Sequence, residues 1–167
     1  NPKIGKGVLN HAISLDGVDD FVSHSPIAFT DNQSYTFSAW LRWEGGDVNR
    51  YVLPFGHYNQ CDNTIYFTAS STGTSAFMYR NSVIHQHIFS GHQWFNKDWW
   101  HLSWTVEDNS SIAIYENGNL IIKSVLENGS DMIYSGIGLG YDNMEYIWNG
   151  SIRSEEHTSE LQSLLII

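Results

Sequence analysis

The chain has 167 residues, with 8 basic and 18 acidic side chains and a formal charge of −10. That balance excludes a binder of phosphate backbones, which needs clustered cations, and no apolar run reaches the roughly 18–20 residues that cross a bilayer. A single cysteine, Cys61, excludes an internal disulfide framework. Ser, Thr and Asn supply 42 residues while Ala and Lys supply 6 and 4, a bias toward strands and turns over helices. The length suits one domain that buries roughly two-thirds of its unfolded surface. Its first residue is Asn1 rather than Met, which reads as a processed or truncated start.

Taken in chain order, short segments of alternating polarity recur from end to end. They are Ala12–Asp16, Ser34–Trp43, Tyr51–Phe55, Thr64–Ala69, Val83–Phe89, Trp99–Val106, Ile112–Tyr115, Leu120–Leu126 and Ile133–Tyr141. Turn signals separate them: Asp16-Gly17, Glu44-Gly45-Gly46, Ser71-Thr72-Gly73, Asn117-Gly118, Asn128-Gly129 and Asn149-Gly150. No helical period is sustained before residue 153. The pattern predicts an all-β fold, a two-sheet antiparallel β-sandwich or barrel in one domain.

Strand parity assigns faces. In the second segment Tyr35, Phe37, Ala39, Leu41 and Trp43 form a core set, opposed by Thr36, Ser38, Trp40 and Arg42. Near residue 100 the core set is Trp100, Leu102, Trp104 and Val106, opposed by Trp99, His101, Ser103 and Thr105. In Val83–Phe89, Ile84 and Ile88 oppose His85 and His87. Three strands therefore pair an apolar face with one that mixes aromatics, histidines and hydroxyls.

Five blocks, in order, resemble the laminin G-like jelly-roll domains of the concanavalin A-like superfamily. Ala12–Val22 is similar to their "AL-x-LDG-x-DDYV" opening and Tyr35–Leu41 to "FTISAWV". Trp99–Thr105 resembles "W-x-HVAVT" and Ile114–Gly118 "LYVNG". Ile137–Gly140 with Trp148–Ile152 resembles the closing "IG…F-x-G-x-I". The resemblance implies two packed antiparallel sheets, an extracellular or cell-surface location, glycan recognition and often one calcium ion. After Ile152 the family pattern, a last strand returning to the first sheet, gives way to Arg153-Ser154-Glu155-Glu156-His157-Thr158-Ser159-Glu160-Leu161-Gln162-Ser163. That string reads as a translated sequencing-library adapter. The expectation is a sandwich over residues 1–152, its closing strand missing, followed by a non-native tail over 153–167.

The chemistry follows from what is present and what is not. Glycosidases of this superfamily resemble one another in an "E-x-D-x-x-E" strand that sets two carboxyls on one face, and no such run occurs here. The protein is therefore expected not to be an enzyme. His85-Gln86-His87, with His92 and Cys61, has metal-like spacing but lacks a third ligand of clear identity, so it reads as sheet-face histidines. Calcium takes carboxylates and loop carbonyls, which makes Asp19 and Asp20, after the Asp16-Gly17 turn, the candidate ligands; the plainer alternative is Asx residues bonding turn amides. Sugar recognition needs rings to stack on pyranose faces and polar groups to satisfy hydroxyls. Trp40, Arg42, Tyr58, Asn59, Arg80, His85, His87, Trp94 and His101 form that inventory, Trp94 on the loop Ser90–Asn96. Trp100 and Trp104 read as core. The expected function is a non-catalytic carbohydrate-binding or adhesion module, cut from a larger secreted or surface protein, with a glycan or polysaccharide as partner. The alternative is an interaction module whose same face packs on a protein surface.

Overall fold

The computed structural model describes residues 3–6, 11–29, 33–44, 51–52, 55–56, 64–70, 73–80, 83–89, 98–107, 111–125, 132–137 and 149–154. In chain order the strands are β1 (Lys3–Lys6), β2 (His11–Asp16), β3 (Val22–Phe29), β4 (Tyr35–Trp43), β5 (Tyr51–Val52), β6 (Phe55–Gly56) and β7 (Thr64–Ser70). They continue with β8 (Gly73–Arg80), β9 (Val83–Phe89), β10 (Trp100–Glu107), β11 (Ser111–Glu116), β12 (Asn119–Val125), β13 (Met132–Ile137) and β14 (Asn149–Ser154). For β5 to β9 and β13 the account is one of backbone pairing. Every pairing is antiparallel, and the described residues contain no helix. The all-β sandwich expected from the sequence is the fold observed.

Hydrogen bonding groups the strands into a seven-stranded sheet ordered β1-β2-β14-β4-β10-β11-β12, a three-stranded sheet β3-β13-β6 and a four-stranded sheet β5-β7-β8-β9. The centre of the large sheet is built by β4 and β10. Both alternate strictly between buried residues and half-exposed or exposed ones, as a period of two requires for a strand with one face on the core. Their register sets Trp104 opposite Phe37, Leu102 opposite Ala39 and Trp100 opposite Leu41, so the apolar sets coincide. Phe37 stacks on Trp104 with centroids 5.0 Å apart, and Tyr35 meets Phe37 edge-on at 5.8 Å. Leu15, Ile112, Ile114 and Ile152 from the flanking strands complete the core. Each such side chain contributes about 1.5–3 kcal/mol by leaving water.

Two backbone positions fix how neighbouring strands meet. The β11–β12 hairpin turns on Asn117 and Gly118, both at positive φ (48° and 81°), the combination that a two-residue type I′ turn demands. Gly150 on β14 lies at φ 150°, and a Cβ there would stand 2.0 Å from the Arg42 carbonyl oxygen. Only glycine lets β14 close against β4 at this point.

Strands β2, β4, β7, β9, β10, β11 and β12 fall where alternation predicted them. Tyr51–Phe55, read as one segment, is described as two short strands in different sheets, β5 and β6. β1, β3 and β8 were not foreseen. β14 spans Asn149–Ile152 of the last matching block and the two residues after it. It lies between β2 and β4 and carries the ladder through Arg153 and Ser154, opposite Trp40 and Ala39. Residues 155–167 lie outside the described residues.

Candidate functional site

The large sheet turns its second face away from the core, and register fixes what that face presents. Residues directly opposite one another in an antiparallel ladder share a face. Ser14, Ser151 and Arg42 therefore form one row across β2, β14 and β4. Arg153, Trp40 and His101 form the next across β14, β4 and β10, followed by Ser38 with Ser103 and Thr36 with Thr105. The floor is made largely of small hydroxyl residues, and the larger groups standing on it include Trp40, Trp99, His101, Tyr115, Lys3 and the two arginines.

Trp40 and His101 lie across the ladder from each other, with ring centroids 5.1 Å apart and planes tilted at 58°. The imidazole Nε2 is 2.8 Å from the Ser38 hydroxyl, a bond in which either partner donates according to the imidazole tautomer. On the other side of the strand the His101 N–H donates to the Asn117 side-chain oxygen at 2.9 Å, and its carbonyl accepts from the Asn117 N–H at 2.8 Å. The tight turn thus clamps the backbone that carries the imidazole. Arg42 lays its guanidinium 5.5 Å from the centre of the Trp99 ring, a cation–π distance, and its Nη2 pairs with Glu44. Trp40, Trp99, Arg42 and His101 are all half-exposed.

A second group lies at the end of β2. The carboxylates of Asp16, Asp19 and Asp20 fall within 4.8 Å of one another, the first two exposed and Asp20 buried. Asp16 Oδ1 accepts the backbone N–H groups of Val18 at 2.9 Å and Asp19 at 3.3 Å. The Asx turn weighed in the sequence is therefore present. The Val18 N–H is the main cause holding the Asp16 carboxyl below its ordinary value, the opposite of the upward shift a catalytic acid requires. Three carboxylate donors clustered by a loop fit a hard, oxygen-loving cation such as calcium, with Asp16 added to the expected pair.

The described members of the sequence-chosen sugar-binding set fall in two sheets. Trp40, Arg42 and His101 meet on the outer face of the seven-stranded sheet. Arg80, His85 and His87 lie on β8 and β9 of the four-stranded sheet, with His85 opposite Met78 and His87 opposite Ala76. Tyr58, Asn59 and Trp94 lie outside the described residues, as do His92 and Cys61 of the metal-like constellation. Trp100 and Trp104 are core, at 5% and 1% exposure. Further contributors to the outer face stand outside the sequence-chosen set, among them Trp99 and Ser38, which parity places there, and Ser151 and Arg153, which share it because β14 alternates through them.

Residues 16–154 match the model of a family described as the concanavalin A-like lectin/glucanases superfamily. No curated protein matches the chain. Among solved structures it is similar to the carbohydrate binding module CBM66 from Bacillus subtilis, with a TM-score of 0.55, 13% identity, and coverage of 91% of this chain and 87% of that one. It is also similar to the binding domain of Paraclostridial Mosquitocidal Protein 1 (TM-score 0.57, 15% identity, 93% of this chain and 43% of that one). A third likeness is to the botulinum neurotoxin serotype G binding domain (TM-score 0.57, 12% identity, 95% and 42%). The chain spans less than half the length of either toxin chain. Identities this low carry the fold alone.

Proposed function

Because the chain belongs to the laminin G-like family of the concanavalin A-like superfamily, we propose that it is a non-catalytic, lectin-like module that binds a glycan on the outer face of its seven-stranded sheet. The observation that carries this is the Trp40–His101–Ser38 group, an indole and two hydrogen-bonding side chains held together on a half-exposed sheet face. A half-exposed indole offers its ring to the apolar C–H face of a pyranose, while imidazole and serine hydroxyls pair with sugar hydroxyls. Because both strands are rigid and the imidazole is pinned at both its side chain and its backbone, little entropy is lost when sugar docks.

The similarity in fold to a carbohydrate binding module supports the same reading. So does the carboxylate inventory: the one described cluster holds an Asp16 whose carboxyl is stabilised as the anion, unsuited to protonating a glycosidic oxygen. We place the module outside the cell or on its surface, where polysaccharides are met, as part of a larger protein. Calcium, when bound, would supply a fixed positive charge at the sheet's rim, and Asp16, Asp19 and Asp20 would hold it. Calorimetry with added calcium is expected to give heat and a raised unfolding midpoint, and neither would appear if the Asx turn is the loop's whole purpose.

A glycan array probed with the folded chain tests the main reading. Binding to a defined saccharide class, lost on Trp40→Ala, is the expected result. Silence across the array from a cooperatively folding protein would contradict it and favour a protein surface as partner.

A further inference from the structure

The geometry points to a carboxylate-bearing saccharide, a uronic or sialic acid residue, as the ligand class of this face, with Arg42 as the residue that reads the carboxylate. The inference rests on the glycan-binding reading and adds the charge of the sugar to it.

The chain carries −10 overall and has only four arginines, at positions 42, 50, 80 and 153. Two of those four stand on the outer face of neighbouring strands. Ser151 is opposite Arg42, so Arg153, two residues on, is its diagonal neighbour, with Cα atoms separated by about 7–8 Å in such a pair. Lys3 extends the row, since it lies opposite Ser14, which lies opposite Ser151. Between Lys3 and Arg42 the floor is Ser14 and Ser151. Among the described residues, carboxylates on this face stand only at its margins, and each is engaged: Asp16 with its own loop amides, Glu44 with Arg42, and Glu107 3.7 Å from Lys123. Lys3, Arg42 and Arg153, with Lys123 opposite Ala113, thus share this face with those three carboxylates.

The guanidiniums also have donors in hand. Arg42 Nε and Arg153 Nη1 are buried and have no hydrogen-bond partner. A buried donor left unmet costs about 1–3 kcal/mol, and a ligand oxygen is what removes that cost. A planar carboxylate matches the guanidinium fork. The Trp99 ring under Arg42 holds that fork in place, and Trp40 lies one row away to stack the sugar ring that bears the acid. Neutral sugars would find the stacking but would bring no carboxylate to Arg42 Nε and Arg153 Nη1.

The test is isothermal titration of the chain with oligosaccharides bearing glucuronate, galacturonate or sialate, each beside its own methyl ester. At least one acid is expected to bind about tenfold or more tightly than its ester, with affinity falling as salt rises. Arg42→Gln is expected to abolish that preference and Arg42→Lys to retain part of it. Arg153→Gln is expected to weaken it less; since Arg153 heads the segment read as a foreign tail, the Arg42 variants decide. Equal binding of acids and esters, or a preference that survives Arg42→Gln in a variant unfolding at the parent's midpoint, overturns the inference and leaves glycan binding standing. If neither acidic nor neutral saccharides bind the folded chain, both fall.

Discussion

The two faces of β4 and β10 share one kind of side chain, tryptophan, and put it to different work. Tryptophan stands on both sides of β4 and on the inner side of β10. On the inner side Trp104 is stacked on Phe37 and 1% exposed, and on the outer side Trp40 stands half-exposed beside His101. The difference is set by one residue of phase and nothing in the chemistry of indole. Placed inward, the ring contributes burial and packing; placed outward on a rigid strand, it becomes a surface whose orientation is already fixed. The core therefore pre-organises the site, because the ladder that aligns Trp104 with Phe37 also aligns His101 with Trp40.

That contrast is open to attack at several points. The largest effect is expected from Trp104→Ala, which should lower stability by about 3–5 kcal/mol in urea or thermal unfolding and abolish binding only through loss of fold. Gly150→Ala should cost about 2–3 kcal/mol, because the new Cβ meets the Arg42 carbonyl and the backbone sits where side chains are strained. Since that contact also carries Arg42, ligand affinity should fall in Gly150→Ala even where the protein remains folded. Trp40→Ala should separate the two faces most cleanly: a stability loss of about 1 kcal/mol, against a glycan affinity reduced tenfold or more. An equal loss of stability in Trp40→Ala and Trp104→Ala would mean that the outer ring is structural.

The smallest effect concerns pH at the sheet's rim. Asp16 has its carboxyl held low by the Val18 N–H, so its ionised form is favoured by folding. The stability this contributes is present above the ordinary carboxylate range and is lost as pH falls through the lowered folded value. The difference between the parent and Asp16→Asn should therefore be visible near neutral pH and close in strong acid. The group is fully exposed, and the gap should be small.

How much of this was legible in the sequence follows the strength of alternation. Tyr35–Trp43 and Trp100–Glu107 announce both faces, because bulky apolar residues occupy every second position and a slip of one residue would bury arginine and histidine. β8 opens Gly-Thr-Ser-Ala before Phe-Met-Tyr and has no such contrast. β3 holds Pro26 at the place where its ladder with β13 breaks, between the pairs Ser23–Gly136 and Ile27–Tyr134. A proline inside a run hides a strand from pattern, and a bulge accommodates it in the fold. The site was half legible for a different reason. Alternation tells which residues share a face within a strand, and Trp40, Arg42 and His101 were found that way. It does not tell which strands are neighbours, so the selection joined His85 and His87 of another sheet to them and passed over Ser151 and Arg153. The return of β14 between β2 and β4, which puts those residues beside Arg42 and Trp40, is a long-range pairing that no local pattern encodes.

The central claim is that ligand binds the outer face of the seven-stranded sheet, and the indole resonances report it directly. Nitrogen–proton correlation spectra recorded while a bound saccharide is titrated in should move the Trp40 and Trp99 indole signals and the Ser38 and His101 amides, and leave the Trp104 indole in place. A titration in which a saccharide binds while the Trp40 and Trp99 signals stay still would contradict the account.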